Sequence, residues 1–452
     1  MNIIIKFIRK LLRGSKKSPV ATHQSAIDPK YLIQRNQHQV SKTDMSPNAL
    51  AVLNRLNSAG FQAYLVGGSV RDLLLRKAPK DFDITTNATP NQIKKLFRNA
   101  RIIGRRFKLV HILYHREIIE VATFRGHDAI DDNHQTNDSG MVIRDNVYGT
   151  FEEDAWRRDF TVNSLYYTLT DSTIVDFTGG FNDVNQRLIR MIGDPTTRYQ
   201  EDPVRMLRAI RFSAKLNFMI APETAAPMNQ LNNLISHISS SRLFEEMVKL
   251  YQCGHAEAAH PLLMQYGLFT HLFPQTHDLL NGHYPVDAFF MIALQSTDKR
   301  IQEDKPVTPA FIFAALLWFP LIEQASELRK QGVEPLPALD QAMSSVIAAQ
   351  NKIVTIPKRF TQVMREIWLL QFRFAKRTGH RPFGLLEHPR FRGAYDFMAL
   401  RALAGDESVE LADWWTTFQD VTPEMQKKMI DDLASSDAPK PKRHRPKKKN
   451  TE

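Results

Sequence analysis

The apolar positions of this 452-residue chain change their period about a third of the way along. From Pro47 to Ala59 they recur at helical spacing, and Gly60 stops the run. QAYLV (62–66) then predicts a strand, Gly67-Gly68 a turn, SVRDLLL (69–75) a helix and FDITT (82–86) a second strand. Thr89 before Pro90 places a capping hydroxyl ahead of a first-turn proline, opening a helix to about Asn99. LVHILY (109–114) and EIIEVATF (117–124) form a hairpin around His115-Arg116. Residues 126–149 are polar and weakly patterned, the composition of a mobile loop. Beyond Phe151 the helical period dominates, apart from the short runs TIVDF and RLIRMI. The expected class is therefore α+β: a small mixed-sheet head followed by an elongated, all-helical neck and body. The expected divisions are a loosely ordered basic leader (1–44), a head (45–185), a neck (186–250), a body (251–434) and a basic, disordered tail (435–452). No internal repeat is evident.

Charge sharpens this outline at its two ends. Residues 1–17 carry six Lys or Arg and no acid, and residues 437–452 carry seven against Asp437 and Glu452. The formal charge is +12, so the long middle is nearly neutral and the ends are polycationic. Such ends bind polyanions, because neutralised phosphates release counterions, and they also suit acidic protein partners. The single cysteine, Cys253, excludes an intramolecular disulfide and a cysteine-based zinc cluster, which suits a reducing, cytoplasmic setting. No segment has the ~20 apolar residues of a transmembrane helix. Residues 1–14 (MNIIIKFIRKLLRG) would form a short basic amphipathic helix suited to peripheral contact with an anionic membrane.

The chemistry concentrates in LVGGSVRDLLL and the KDFDITT that follows it. Gly67 and Gly68, between a strand and a helix start, let backbone N–H groups approach a phosphate closely. Asp81 and Asp83 are two apart on an extended segment, so their side chains share a face, an oxygen-ligand pair suited to Mg²⁺. An isolated D-x-D is more simply two solvated acids; the diglycine block beside it reverses that weighting. Glu120 is an acid inside an apolar strand, to be satisfied by a metal or by an ion pair to Arg71 or Arg125. In EEDAWRRDFTVNSLYY, Arg157 and Arg158 are forked cations suited to a triphosphate, and Asp159 can accept from ribose hydroxyls or assist a metal site. In YQEDPVRMLRAIRFSAKL, Asp202 before Pro203 predicts a helix N-cap, with Arg205 and Arg208 three apart on one face. SSRLFEEMVKLY (240–251) predicts a serine-capped helix in a supporting role.

Together these blocks resemble the head and neck of the nucleotidyltransferase superfamily, in the branch shared by bacterial poly(A) polymerases and CCA-adding enzymes. The likeness covers roughly residues 45–435. It implies template-independent addition of AMP from ATP to RNA 3′ ends, with Mg²⁺ held by Asp81, Asp83 and Glu120. It further implies that Gly67, Gly68, Arg71, Arg158 and Asn163 contact the nucleotide, with Asp159 either catalytic or nucleotide-binding. Asp202 and Arg205, beside Arg208, would read the base edge in place of a nucleic-acid template.

Two regions favour poly(A) synthesis over the CCA alternative. IIGRRFKLVHILY (102–114) resembles a stretch typical of bacterial poly(A) polymerases. Residues 369–402 interleave Arg373, Lys376, Arg377, Arg381, Arg390 and Arg392 with Phe372, Phe374, Phe383 and Phe391, a pattern that reads either as an RNA track or as a helical core with a basic outer face. A non-catalytic RNA-binding scaffold is the alternative of another class; it would have no use for the carboxylate pair and diglycine.

Overall fold

The computed structural model describes residues 27–104, 108–126 and 148–436. The amphipathic segment 1–14, most of the predicted 126–149 loop, residues 105–107 of the GRRF stretch and the basic tail from 437 lie outside the described residues. Among those described, one compact unit comprises residues up to 126 with 148–158 and 162–181; a second comprises 159–161 and 182–436.

The first unit is built on an eight-stranded mixed sheet. Its strands are β1 (Leu32–Ile33), β2 (Ala63–Val66), β3 (Asp83–Thr86), β4 (Ala100–Ile103), β5 (Leu109–Tyr114), β6 (Glu117–Thr123), β7 (Leu165–Tyr167) and β8 (Ile174–Asp176). They lie in the order β1-β8-β7-β2-β3-β6-β5-β4, with β3 and β6 parallel and the other neighbours antiparallel. Helix α1 (Pro47–Ser58) is capped by the Ser46 hydroxyl and buries Val52, Leu53 and Leu56. Helix α2 (Gly68–Leu74) follows the diglycine. Helix α3 (Pro90–Leu96) opens with the expected Thr89 cap, reciprocated by Gln92. On β4–β6 the burial alternates: Ile102, Val110, Ile112, Ile119 and Val121 face the core, and Arg101, His111 and Glu120 occupy the opposite face. Helix α4 (Phe151–Trp156) stacks Phe151 on Tyr64 with centroids 4.2 Å apart, joining Phe124, Tyr166 and Phe177 in an aromatic cluster.

Three strands depart from the expected layout. β1 sits where a loose leader was expected, so the chain is already part of the sheet by Leu32, paired with β8. β4 ends the α3 helix earlier than Asn99: Phe97 caps it in an extended conformation. β7 is buried at all three positions and so carries no alternation to distinguish it from helix.

The second unit is helical except for a two-strand parallel pair, Leu188–Ile189 with Met219–Ile220. Its helices include Pro195–Glu201, Val204–Leu216 and Ser240–Tyr251. Asp202 is not an N-cap: it closes the preceding helix, and Pro203 holds the cap position of Val204–Leu216. Ser239 takes the N-cap place of Ser240–Tyr251 without a side-chain capping bond, and the Ser240 hydroxyl pairs with Thr355 instead. Of the downstream phenylalanines, Phe374 and Phe391 are core, Phe383 packs against it, and Phe372 is 45% exposed. Among the described residues no single helix is long and apolar enough to cross a membrane. One bent pair, Pro309–Leu316 with Trp318–Lys330, passes by length and composition, and its apolar residues from Ile312 to Leu321 are buried.

Candidate active site

One cross-strand row carries most of the head's ionisable chemistry. Pairing places Arg101 opposite His111, His111 opposite Glu120, Glu120 opposite Asp83, Asp83 opposite Val66, and Val66 opposite Tyr166. Directly paired residues share a face, so this line crosses the sheet on the face away from α1 and α3. Asp81 lies two residues before Asp83 on the extended lead-in. Both are exposed, while Phe82 and Ile84 are buried, so the two carboxylates stand on one side of the chain.

The electrostatics agree with that placement. Asp83 keeps a solvent-exposed edge, yet the surrounding protein hydrates its carboxylate poorly and pushes its pKa up to about 6. Burial is the first cause; Glu120 and Asp81 add repulsion, and Arg158 pulls the other way. A carboxylate repelled by two others favours a hard dication with oxygen ligands. Glu120 takes neither of its expected arginine partners: its Oε2 lies 3.2 Å from His111 Nε2. Among the described residues no group of three or more His, Cys, Asp or Glu side chains is already drawn up as a metal cage. The donor set fits Mg²⁺ in its chemistry, with Asp81 and Asp83 as the core of it.

The diglycine turn follows directly from Val66. Gly67 has φ +73°, a left-handed value, and an added Cβ would lie 3.4 Å from the Asn163 carbonyl and 3.6 Å from an Arg158 nitrogen. At Gly68 a Cβ would press within 3.4 Å of the Arg71 guanidinium. Arg71 is buried, donating to Asn163 Oδ1 and, through Nε and a terminal nitrogen, to Asp72 at 2.9 and 2.8 Å. Arg158 donates to the Tyr166 hydroxyl at 2.8 Å, to the Asn163 carbonyl at 3.4 Å and to Asp154 at 3.0 Å. Asp154 is 1% exposed and also accepts from Arg157. Burial alone would raise the Asp154 carboxyl, but Arg158 and Arg157 outweigh it and hold it below its ordinary value. Burial likewise opposes the Arg158 charge, and Tyr166 and Asp154 more than restore it. Gly67, Gly68, Arg71, Arg158 and Asn163 thus form one bonded group.

The second unit gathers the remaining site residues. Asp159 begins the short 159–161 segment there and accepts both Nε and a terminal nitrogen of Arg208, at 2.7 and 2.5 Å. Burial works against the Arg208 charge, and Asp159 overcomes it. Arg205 donates to the Arg198 carbonyl and to Glu201, at 2.7 and 2.8 Å. Asp202 accepts from Arg242 at 2.7 Å. Sequence reading assigned Arg242 no chemistry and overlooked Asp154 and Tyr166. The signal for Asp154 was its four-residue spacing to Arg158; Arg242, forty residues from Asp202, offered none.

A mixed-sheet head whose diglycine turn leads to paired carboxylates, followed by an arginine-lined helical region, defines a nucleotidyltransferase. Residues 63–190 match the poly A polymerase head domain, 217–280 the "probable RNA and SrmB- binding site of polymerase A", and 331–449 the polymerase A arginine-rich C-terminus. Poly(A) polymerase I of Salmonella typhi is 47% identical over 99% of this chain and 97% of its own length. The CCA-adding enzyme of Bacillus subtilis is 37% identical over 50% of this chain and 55% of its own. Among solved structures, the Bacillus stearothermophilus CCA-adding enzyme in complex with CTP aligns with a TM-score of 0.53 and 26% identity, covering 86% of this chain and 83% of that one. The chain belongs to the bacterial poly(A) polymerase family, and it is a nucleotidyltransferase enzyme.

Proposed function

We propose that this enzyme transfers AMP from ATP to RNA 3′ ends without a template and releases pyrophosphate, acting in the cytoplasm in RNA processing and decay. The observation that supports the chemistry is the row on which Asp83 and Glu120 stand opposite each other, with Asp81 beside them, next to the Gly67-Gly68 turn. Asp81 and Asp83 would hold Mg²⁺, with Glu120 on the adjoining strand. When bound, the ion supplies charge neutralisation at the phosphates and acidifies the attacking hydroxyl.

The chain's own residues supply position and field. The diglycine keeps the turn clear of side chains, so the triphosphate can approach the backbone. Arg158, locked by Asp154 and Tyr166, presents a fixed positive charge to it. Asp159, neutralised by Arg208, offers acceptor oxygens to ribose hydroxyls. Asp202, held by Arg242, and Arg205 would present an acceptor and donors to the base edge. Full-length similarity to a poly(A) polymerase, against half-length similarity to a CCA-adding enzyme, favours ATP and generic RNA.

The test supplies Mg²⁺, an unstructured RNA and a tRNA lacking its end, with ATP or CTP given separately. Long A ladders on the unstructured RNA are expected; C incorporation confined to the tRNA would replace this reading with the CCA one. Asp81→Ala with Asp83→Ala should lower incorporation by about a thousandfold or more while RNA binding persists.

A further inference from the structure

The row of ionisable residues does not end at the carboxylates. Beyond Glu120 it continues through His111 to Arg101 on β4, the last strand of the sheet. His111 is committed to Glu120, 3.2 Å away. Arg101 is exposed and has no hydrogen-bonding or ion-pair partner among the described residues. It contrasts with Arg71, Arg157 and Arg158 in the same unit, each tied to a carboxylate. A sheet edge bearing a cation also discourages pairing with another strand, which is the bland explanation for Arg101. That explanation requires no particular position along the strand. Here the cation falls on the one line that leads to Asp83, and on the open face rather than the covered one.

Strands lie about 4.8 Å apart, so the Arg101 Cα stands three strand steps, roughly 14 Å, from that of Asp83. Both side chains stand out from the same face, so the gap is one that a short stretch of nucleic-acid backbone ending at the carboxylates spans. Leu109 and the 43% exposed Ile103 flank Arg101 on the same face, giving sugars and bases an apolar floor.

We propose that Arg101 binds a backbone phosphate of the acceptor RNA, one or two nucleotides before the 3′-hydroxyl, and so aligns that end with Asp81 and Asp83. The assignment rests on the adenylyl-transfer reading above. It makes Arg101 a positioning residue: it grips the acceptor, and ATP is bound elsewhere in the site. The interaction is with phosphate, so it is indifferent to the base sequence of the RNA.

Arg101→Gln and Arg101→Lys are compared with the unaltered enzyme on a short RNA oligomer. Arg101→Gln should raise the KM for RNA about tenfold, leave kcat and the KM for ATP unchanged, and reduce the salt slope of RNA binding by about one. Arg101→Lys should recover most of the loss. A neutral methylphosphonate at each of the last three linkages locates the contact. At one linkage it should weaken the unaltered enzyme and have no further effect on Arg101→Gln. The proposal falls if that penalty is the same in both proteins, if the KM for RNA does not move, or if the KM for ATP rises in step. An unaltered enzyme that incorporates no AMP would instead refute the functional reading on which the proposal stands.

Discussion

The head sheet and the arginine-lined helices of the second unit are out of electrostatic balance in opposite senses. On the sheet, Asp83 faces Glu120 and Asp81, and its charged form is disfavoured. In the second unit, acids near the Val204–Leu216 helix are paired: Asp159 with Arg208, Glu201 with Arg198 and Arg205, Asp202 with Arg242, and Glu246 with Lys249. There it is the cations that are crowded. Burial and the neighbouring Arg205 hold Arg198 below its ordinary value, and burial with Arg208 does the same to Arg211. The sheet, taken by itself, therefore gains by receiving a cation, and the helices, taken by themselves, by receiving an anion. Folding relieves neither imbalance within its own unit.

The largest effect expected from disturbing this contrast is at Arg158. Arg158→Ala removes one partner of a buried carboxylate, so denaturant unfolding should show a loss of about 3 kcal/mol, and AMP incorporation should fall with it. Stability unchanged within ~0.5 kcal/mol would mean that Arg157 and Tyr166 suffice for Asp154. A smaller effect is expected at Arg242. Its pair with Asp202 is partly exposed, so Arg242→Ala should cost under about 1 kcal/mol of stability. The ATP-over-CTP preference should nonetheless drop about tenfold, because Asp202 loses the group that aims it. An unchanged preference would remove Arg242 from base selection.

The smallest effect concerns Asp83 in chelator-treated protein. Its folded pKa, about 6, lies above the ordinary 3.8, so the folded chain holds that proton more tightly than the unfolded chain. The charged form therefore costs stability above about pH 6, and the cost disappears as pH falls through the window between about 6 and 3.8. Asp83→Asn should stabilise the protein at pH 7.5 by about 1 kcal/mol, after allowance for solvent at its exposed edge, and should change little near pH 4. Equal stabilisation at both pH values would assign the gain to packing rather than charge.

Short-range signals were legible before any coordinates. The Thr89 cap, the helix after Gly67-Gly68, the hairpin around His115-Arg116 and the common side of Asp81 and Asp83 all follow from residues within a few positions of one another. Their physics is local: capping, glycine freedom and the two-residue period of extended chain. Where long-range pairing overrode local pattern, the reading failed. Leu32–Ile33 is a strand because β8 lies beside it, and Leu165–Tyr167 because β2 and β8 enclose it. The Asp202 cap was misplaced by one helix because two helices meet at that residue.

By itself, then, the order of residues determined the chemistry on offer: a carboxylate pair beside a diglycine turn, arginines to follow, and the helical class of the remainder. Only the tertiary structure decided which groups answer one another. It gave Glu120 to His111 rather than to Arg71 or Arg125, brought Arg242 across forty residues to Asp202, and set Arg101 in line with Asp83. The reason is that strand register and helix packing act between segments distant in sequence, and no local pattern encodes the partner of a long, charged side chain.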